Sequence, residues 1–318
     1  NKYNNFKDCC HMIWNDKRYH TLNYEMKKIF GSKVIKLSIN GGFTCPNRDG
    51  RIGTRGCIFC GEEGAGEFTS SRCLTITEQI KAQKEILSRK WPEGKYIAYF
   101  QNFTNTYSTK EDLDKKYREA LSQEGVVGIA IATRPDCLSD DILDLLEKLN
   151  RETFLWIELG LQTINESTAK FIRRGYTLDV YEKAIFELKK RGIKVVTHLI
   201  FGLPCETYDD MLESVKYIAH TETWGIKLHL LYIQKWTDLH EIYEKSPFHV
   251  LSQEEYIAIV VDSLELLPQG MVVHRVTGDG KKDLLVAPWW SLDKLRVLSG
   301  IDKELKIRDS YQGKNHKK

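Results

Sequence analysis

Three cysteines lie close together in one glycine-rich segment of this chain. Cys45, Cys57 and Cys60 follow the spacing C-x11-C-x2-C within the run INGGFTCPNRDGRIGTRGCIFCGEEGAG. Iron–sulfur clusters normally take four thiolates, so three would leave one iron open to another ligand. The Gly, Arg and Asn residues between the cysteines would let the loop wrap closely around such a group. The spacing therefore predicts an iron–sulfur cluster with an open coordination position.

A structural zinc site is an alternative for these thiols. Closed zinc sites take four ligands, often as two C-x2-C pairs. Only one such pair occurs here, so the fourth ligand would have to be Cys73 or a distant histidine. A redox-active C-x2-C pair would leave Cys45 without a role. The other thiols are expected to be ordinary thiols or small core residues: Cys9, Cys10, Cys73, Cys137 and Cys205.

Composition is that of a soluble globular protein. The 318 residues are 42% hydrophobic and 29% charged, with a net charge of +3. That charge is too small to indicate a nucleic-acid partner, although a local basic face could bind one. No apolar stretch is long enough to cross a bilayer, and the first residues do not resemble a secretory signal. We therefore expect a cytoplasmic protein whose eight cysteines stay reduced.

Short apolar runs alternate with helical patterns along most of the chain. The runs are nearly continuous, as in parallel strands buried on both faces. The helical segments carry apolar residues at three- and four-residue spacing. Strands are predicted at 33–39, 95–100, 126–133, 154–161, 193–202 and 225–233, and helices at 75–90, 110–123, 139–149, 178–191 and 207–221. This alternation predicts an α/β fold, either a partial barrel or an open doubly wound sheet.

The domain organisation is predicted from where the alternation of strand and helix patterns begins and ends. We predict an N-terminal segment at 1–32, a barrel at 33–235 and a C-terminal extension at 236–318. The extension carries a helical pattern at 252–267 and a strand pattern at 271–277, and its basic tail is expected to be disordered. In a parallel α/β fold the ligand site lies at the C-terminal ends of the strands, where the three cysteines also fall.

Blocks of sequence along the chain resemble the radical S-adenosylmethionine (SAM) superfamily. The match is to its Elongator-catalytic-subunit-like branch, and within that branch to the bacterial YhcC/YtqA type. It covers about residues 20–312, in the family's order. The blocks are NGGFTCPNRDG, YFQNFTNTY, ATRPDCL, ELGLQT, RRGYT, HLIFGLPCET, KLHLLY and VVHRVTGD.

This resemblance implies a partial (β/α)6 TIM-type radical SAM barrel with a C-terminal extension. It also implies a 4Fe–4S cluster, SAM and an external one-electron reductant. The open iron would chelate SAM, and one electron would then cleave it to a 5′-deoxyadenosyl radical. YtqA-type members, also called MnmL-like, are implicated in maturing the tRNA wobble uridine. There they convert a 5-carboxymethylaminomethyl side chain to 5-aminomethyl.

Some positions depart from the family's pattern. Cys205 stands where relatives usually carry Gly, Leu230 where Pro is frequent, and Trp236 where Gly is frequent. All three lie near predicted strand ends, so they are expected to affect the fit of the substrate. No acetyltransferase domain follows, which argues against the Elongator reaction itself.

Cofactor-binding residues follow from the family's usual arrangement. An aromatic residue before the last cluster cysteine commonly lies beside the SAM adenine, which suggests Phe59. A polar turn after the second strand usually receives the SAM amino group, and the amides of Gln101, Asn102 and Asn105 fall there. The alternative for these three is an ordinary polar loop.

Further candidates end the third and fourth strands. Arg134 could bind the SAM carboxylate through its guanidinium fork, or pair with Asp136 instead. Glu158 and Gln162 lie where family members bind the SAM ribose or sulfonium. A buried carboxylate needs a partner, which makes Glu158 the stronger candidate and a possible catalytic group.

Two histidines, His198 and His229, lie within apolar strands five and six. About half of the positions on a barrel strand point inward, so each could orient substrate or relay a proton. A satisfied core histidine is the alternative. Tyr232 and Lys227 are weaker candidates in the same strands.

A tRNA anticodon loop is the predicted partner. Binding it needs cations for the phosphates and aromatic rings for the bases. The candidates are Arg173–Arg174, Lys189–Arg191, Lys281–Lys282, Lys317–Lys318 and the pair Trp289 and Trp290. Two other functions remain open: a radical SAM enzyme acting on a small molecule or peptide, and a non-catalytic zinc or iron–sulfur binding protein.

Overall fold

Seven parallel strands form one sheet in the order β1-β2-β3-β4-β5-β6-β8. Each central strand is rich in Val, Ile, Leu and aromatic residues because it is covered on both faces. The strands are β1 (Val34–Ile39), β2 (Lys95–Phe100), β3 (Val126–Thr133), β4 (Phe154–Gln162), β5 (Lys194–Phe201), β6 (Gly225–Leu230), β7 (Ile233–Gln234), β8 (Val272–Arg275) and β9 (Leu285–Ala287).

All six predicted barrel strands are present, with one shortened. The sixth ends at Leu230, and β7 then pairs with β9 as a separate antiparallel ribbon. The main sheet curls into a half barrel, so the partial TIM-type barrel is confirmed. Its seventh strand, β8, comes from the C-terminal extension and runs parallel to β6. The boundary at residue 235 stays a prediction.

Ten helices occur among the described residues. Every predicted helix is confirmed, whereas two short helices and the long last helix were not predicted. The helices are α1 (Leu22–Phe30), α2 (Ile76–Ser88), α3 (Lys110–Leu121), α4 (Asp140–Glu152), α5 (Glu166–Phe171), α6 (Leu178–Lys190), α7 (Tyr208–Ala219), α8 (Asp238–Lys245), α9 (Gln253–Leu266) and α10 (Lys294–Ile307).

The main core lies between the convex face of the sheet and the helices. There Leu37 and Ile39 of β1 and Leu145 and Leu146 of α4 are almost fully buried. A second apolar layer fills the bottom of the barrel, around the fully buried Trp156. The chain therefore closes the N-terminal end of the barrel with side chains and leaves the other end for a site.

The C-terminal tail is ordered up to residue 317, which corrects the expectation of disorder. The Asn315 backbone N–H donates to the Glu265 carbonyl, and the Asn315 amide donates to the Glu265 carboxylate at 2.6 Å. A ring nitrogen of His316 lies 2.9 Å from the Leu266 carbonyl oxygen. These bonds satisfy acceptors at the end of α9 and hold the tail there.

The structure is a computed structural model that describes residues 14–62, 64, 74–88, 91, 94–278 and 280–317. Cys9, Cys10, Cys73 and Lys318 lie outside the described residues, so the predictions made for them stay untested. Among the helices described, none is both long and apolar enough for a membrane span.

Candidate active site

A cavity of about 220 Å³ opens at the C-terminal ends of the strands. Parallel strands direct their carboxyl ends to this edge, so residues far apart in sequence meet here. Of the twelve residues predicted to hold the cluster, bind SAM or take part in catalysis, ten line this cavity. Cys45, Cys57, Cys60, Phe59, Gln101, Arg134, Glu158, Gln162, His198 and His229 all line the cavity, whereas Asn102 and Asn105 do not.

The three cysteines lie on one wall of this cavity. The Cys60 backbone N–H donates to the Cys57 carbonyl at 3.0 Å, which forms the tight turn between them. The Cys57 and Cys60 thiols lie near enough to shift each other's pKa in opposite directions, and the charge of Cys45 raises the pKa of Cys60. The sulfur groups are therefore gathered on one side of the molecule, as a shared cluster requires.

Neighbouring elements hold the cysteine loop in place. The Asn47 amide donates to the Arg173 carbonyl at 2.6 Å, and the Arg48 guanidinium donates to the Cys60 carbonyl at 3.0 Å. Gly56 adopts a φ of +75°, and a Cβ there would lie 2.8 Å from Arg48 Nε. The glycines of this loop thus allow Arg48 to cross behind the cysteines.

Thiolate formation is favoured at one of the two adjacent cysteines. The hydrogen bond from Cys60 lowers the pKa of Cys57 to about 7, against the effect of burial, with help from the charge of Arg134. The same hydrogen bond and burial raise the pKa of Cys60 well above its ordinary value. Thiolates are the form that binds metal, so one ligand is already close to that state at neutral pH.

Ligands for a single metal ion are not assembled here. No group of three Cys, His, Asp or Glu side chains among the described residues converges on one ion position. A zinc ion needs such convergence, because its ligands all lie about 2.0–2.3 Å from one centre. A 4Fe–4S cluster binds each thiolate at a different iron, so it does not require the three cysteines to converge on one point.

Glu158 lies at the cavity floor in a network of four hydrogen-bonded partners. Its carboxylate accepts from the Tyr99 hydroxyl at 2.7 Å and from Trp156 Nε1 at 3.0 Å. His198 Nε2 lies 3.0 Å from the same carboxylate, and the Lys227 ammonium forms an ion pair with it. The expectation that a buried Glu158 would need a partner is therefore met.

The charge states of this network follow from its burial. Burial alone would raise the pKa of Glu158, but the positive charge of Lys227 and the bond with His198 hold it well below its usual range. Burial lowers the pKa of Lys227 to about 7, partly offset by the charge of Glu158. Glu158 is thus ionised at neutral pH, while Lys227 can exchange a proton near it.

His198 and His229 are neighbours on the inner face of β5 and β6. Their ring centroids are 5.6 Å apart. Burial and the charge of Lys227 lower the pKa of His198 to about 4, and burial with the charge of Arg275 lowers that of His229 well below its ordinary value. Both rings are therefore neutral at physiological pH, and each can accept a hydrogen bond from a ligand.

Gln162 presents an unsatisfied acceptor to the cavity. Its Oε1 atom is buried and has no hydrogen-bond partner among the described residues. The residue has a φ of +68° where the pairing of β4 with β5 shifts register. Its amide lies directly over Gly160, where a Cβ would be 2.8 Å from Gln162 Nε2. A donor on a bound ligand would satisfy this oxygen.

The polar loop after β2 divides between two environments. Gln101 lines the cavity, and its Oε1 accepts from the Ser38 hydroxyl at 3.3 Å. Asn102 and Asn105 are almost fully buried away from it. The Asn105 amide donates to the Ala132 carbonyl at 2.8 Å and so ties this loop to β3. The ordinary-loop alternative therefore describes Asn105.

Arg134 is committed to neighbours within the protein. Its Nε and Nη2 donate to the two Asp136 oxygens at 2.9 and 2.8 Å, and Nη1 donates to the Arg174 carbonyl at 2.9 Å. The fork that was predicted to hold the SAM carboxylate is thus already occupied by Asp136. The Asp136 alternative therefore describes Arg134 in this structure, and its contact with the SAM carboxylate stays a prediction.

Several cations proposed for tRNA binding are also committed elsewhere. Arg174 is 1% exposed and donates to the carbonyls of Leu161 and Thr163. Arg191 pairs with Glu187 at the end of α6, which leads into the N-terminal end of β5 and so lies opposite the cavity. Within the described part of the chain, Lys281–Lys282 is the candidate that follows a strand end beside the mouth.

The two tryptophans of the aromatic pair, Trp289 and Trp290, lie in different environments. Trp290 Nε1 donates to the Leu251 carbonyl at 3.0 Å, and its ring lies 5.6 Å from that of Tyr256, so it belongs to the core. Trp289 is 60% exposed. Trp236, which the sequence analysis expected to affect the fit of the substrate, is 78% exposed just after β7. Sequence reasoning missed Tyr99 and Arg275, which alternation along β2 and β8 could have indicated.

The residues present fit an iron–sulfur cluster and SAM. Three thiols share one wall, and an unsatisfied buried oxygen faces the same space. When bound, these cofactors supply a 5′-deoxyadenosyl radical. Cys45, Cys57 and Cys60 would hold the cluster, and Gln162, Gln101 and Phe59, which line the same cavity, would be the residues nearest to SAM.

Comparison with known proteins agrees with this site. The model of the Radical SAM superfamily matches residues 48–218, and that of the Radical_SAM C-terminal domain matches residues 223–307. The uncharacterized protein YtqA of Bacillus subtilis is 48% identical over 299 residues, covering 94% of this chain and 93% of that protein.

Two further proteins share parts of the chain. A tRNA uridine(34) acetyltransferase of Methanocaldococcus jannaschii is 27% identical over 156 residues, covering 48% of this chain and 28% of that protein. The structure of Methanocaldococcus infernus Elp3 with an N-terminal deletion aligns with a TM-score of 0.67 at 18% identity, over 88% of this chain and 64% of that one.

The sequence comparisons and the residues that line the cavity lead to the same conclusion. The superfamily match spans more than half of the chain, and the relative YtqA matches nearly all of it. The cofactors are a 4Fe–4S cluster and SAM, for which the cavity has matching residues. This chain belongs to the radical SAM superfamily and is a radical SAM enzyme of the YtqA type.

Proposed function

We propose that this radical SAM enzyme acts on the wobble uridine of tRNA. It would convert a 5-carboxymethylaminomethyl side chain to 5-aminomethyl, with electrons from an external one-electron reductant. The main support for this substrate is the sequence that the chain shares with a protein named as a tRNA uridine(34) acetyltransferase. The aligned part covers 28% of that protein, so it supports the nucleotide acted upon and leaves the reaction to the resemblance with the YtqA type.

The mouth of the cavity supports an RNA substrate. Lys235 and Trp236 follow β7, and the Lys235 backbone N–H donates to the Leu284 carbonyl at 2.8 Å. This bond brings them beside the turn that holds Lys281 and Lys282. We call these four residues the ribbon rim. An exposed indole among cations can stack on an unpaired base while the cations contact phosphates.

The chemistry requires one hydrogen atom to leave the glycine-like methylene of the side chain. One electron then passes to a one-electron acceptor, and the nitrogen loses its proton, which gives an imine. Water adds to the imine, the carbon–nitrogen bond breaks, and the products are the aminomethyl group and glyoxylate. Lys227 and His198 face the same space and can accept the protons released.

The direct test is turnover by the reconstituted enzyme. Protein with its cluster, SAM and a reductant would be incubated anaerobically with tRNA that carries 5-carboxymethylaminomethyluridine, and the nucleosides separated after digestion. We expect 5-aminomethyluridine together with 5′-deoxyadenosine. Formation of 5′-deoxyadenosine without any change in the nucleoside would reject the tRNA substrate and favour a small molecule or peptide.

A cellular comparison gives an independent measure. Bulk tRNA from cells with and without the gene would be digested and the wobble nucleosides quantified. The proposal expects 5-carboxymethylaminomethyluridine to accumulate in the deletion strain. Restoration by the intact gene, but not by a gene encoding Cys57→Ala, connects the change to this site.

A further inference from the structure

Arg48 is hydrogen-bonded to the backbone at both the first and the last cluster cysteine. Its backbone N–H donates to the Cys45 carbonyl at 2.8 Å. Its side-chain Nη2 donates to the Cys60 carbonyl at 3.0 Å and to the Gly61 carbonyl at 2.6 Å. Cys45 and Cys60 lie at the two ends of the cysteine loop, so this one residue ties the ends together.

The residues around the guanidinium hold it in this place. Its Cζ atom lies 5.6 Å from the centroid of the Phe103 ring. Gly56 leaves room for it, since a Cβ there would lie 2.8 Å from Arg48 Nε. The Gly64 backbone N–H donates at 3.0 Å to the same Gly61 carbonyl that accepts from Arg48. The planar group is therefore packed on a ring and held against the turn that carries the last cysteine.

No carboxylate balances the charge of Arg48 within the described part of the chain. Its two side-chain acceptors are backbone carbonyls. Arg134, which lines the same cavity, is instead paired with Asp136. The other thiol has the largest effect on the pKa of Cys57 and of Cys60, and the positive charge of Arg48 acts to lower both. This charge therefore lies close enough to act on the sulfur atoms of two cluster ligands.

A cation and a hydrogen-bonded support have distinct effects on an iron–sulfur cluster. A cluster on three thiolates carries net negative charge, and reduction makes it more negative. A nearby positive charge therefore stabilises the reduced form more than the oxidised form and raises the reduction potential. Hydrogen bonds that orient the ligands from behind strengthen metal binding. Arg48 is placed to supply both effects.

We propose that Arg48 is a positioning residue for the cluster, which ties the ends of the cysteine loop together and makes the cluster easier to reduce. The inference concerns the cofactor that all reactions of the superfamily share. It does not depend on an RNA substrate, so its failure would leave the proposed function untouched.

Retention of iron tests the hydrogen-bonded part of this role. Reconstituted wild type, Arg48→Gln and Arg48→Lys would be mixed anaerobically with an excess of iron chelator, and the loss of cluster absorbance followed. We expect Arg48→Gln to lose iron about tenfold faster than wild type. Arg48→Lys should also lose it faster, because an ammonium lacks the planar face and fixed N–H directions of a guanidinium. Arg55→Gln is the matched control, since Arg55 is an exposed cation of the same loop that is paired with Asp238.

The reduction potential tests the electrostatic part, and a purely structural role would not move it in this pattern. Each protein would be titrated with reductant in the absence of SAM, and the reduced cluster measured by electron paramagnetic resonance. Arg48→Gln should have a more negative potential than wild type, whereas Arg48→Lys and Arg55→Gln should stay close to it. Where Arg48→Gln retains too little iron, a clearly more negative potential in Arg48→Lys would contradict the role of charge. Iron release at the wild-type rate in both Arg48 variants, or a wild-type potential in Arg48→Gln, would overturn the proposal.

Discussion

Glu158 and Lys227 form an ion pair inside the barrel, with their side chains 0% and 3% exposed. Desolvating two charges is costly, and the hydrogen bonds from Tyr99 and Trp156 offset part of that cost. The pair connects β4 to β6 across the cavity floor. A change in this ion pair is therefore expected to affect both the stability of the protein and the chemistry in the cavity.

Breaking this pair should destabilise the protein strongly. Glu158→Gln leaves the Lys227 charge buried without its counterion, so we expect a loss of about 3–5 kcal/mol in the free energy of unfolding. Chemical unfolding measures it. The control Glu152→Gln removes a surface carboxylate paired with Arg118 and should leave the free energy of unfolding almost unchanged. Adding Lys227→Met to Glu158→Gln should restore part of the loss; a strictly additive double variant would show that the two charges are not coupled.

Acid should weaken the fold through its buried histidines. The pKa of His198 falls from 6.5 to about 4 on folding. Between these values the unfolded chain binds a proton that the folded chain does not, so the free energy of unfolding decreases as the pH falls. One such group contributes up to about 1.4 kcal/mol per pH unit.

The variant His198→Gln isolates this contribution. Between pH 7 and about pH 4, the free energy of unfolding of this variant should depend less steeply on pH than that of wild type. The difference in slope should correspond to at most one proton taken up on unfolding. Thr197→Val is the matched control on the opposite face of β5, where Thr197 bonds Tyr181 at 2.5 Å and does not titrate. An unchanged slope in His198→Gln would show that other groups account for acid sensitivity.

Gly160→Ala should impair SAM binding with little effect on folding. The added methyl would lie 2.8 Å from Gln162 Nε2 and would push that amide from its place at the cavity wall. We expect about tenfold weaker SAM binding, equal to the loss of one good hydrogen bond. Gly270→Ala is the control, since nothing lies within 4 Å of a Cβ there. Equal SAM affinity in Gly160→Ala and wild type would remove Gln162 from the binding site.

Each cluster cysteine should be essential for iron binding. Cys45→Ala, Cys57→Ala and Cys60→Ala should abolish the brown colour and the iron and sulfide content of anaerobically purified protein. Cys205→Ala, at an exposed thiol, should retain them. Stoichiometric zinc in place of iron in the wild-type protein would contradict the cluster assignment.

The ribbon rim should contribute to RNA affinity. Stacking of one base on an aromatic ring is worth about 1–3 kcal/mol, so Trp236→Ala should weaken tRNA binding accordingly while Trp236→Phe retains most of it. Filter binding at fixed salt measures the change. Phe186→Ala on α6 is the control, because Phe186 is 64% exposed far along the chain from the rim. A matching loss in both alanine variants would indicate a general surface effect.

Two departures from the family's glycines have a structural consequence. Cys205 has a φ of +70° and Trp236 a φ of +64°. Side chains with a Cβ adopt this left-handed region at a cost of about 1–2 kcal/mol, which explains why glycine is usual at both positions. Trp236 then presents its indole to solvent at the mouth, so the strained position coincides with the proposed contact for RNA.

Much of the architecture was predictable because its signals are local. The apolar runs of β2 to β5 and the amphipathic pattern of α4 each lie within a few turns of chain, and all were placed within a few residues. The cysteine spacing is equally local, since Cys45 and Cys60 share one loop. Periodicity and spacing can be recognised without knowing what packs against them.

The chemistry of the cavity floor could not be predicted in the same way. Glu158 meets Tyr99, His198 and Lys227 from 59, 40 and 69 residues away. Arg134 instead pairs with Asp136, two residues along the chain, and the Asn105 amide donates to a backbone carbonyl of β3. Which side chains point at one another depends on how seven strands curl and stagger around a common axis. Burial and charge are then set by neighbours distant in sequence, which the folded barrel alone brings together.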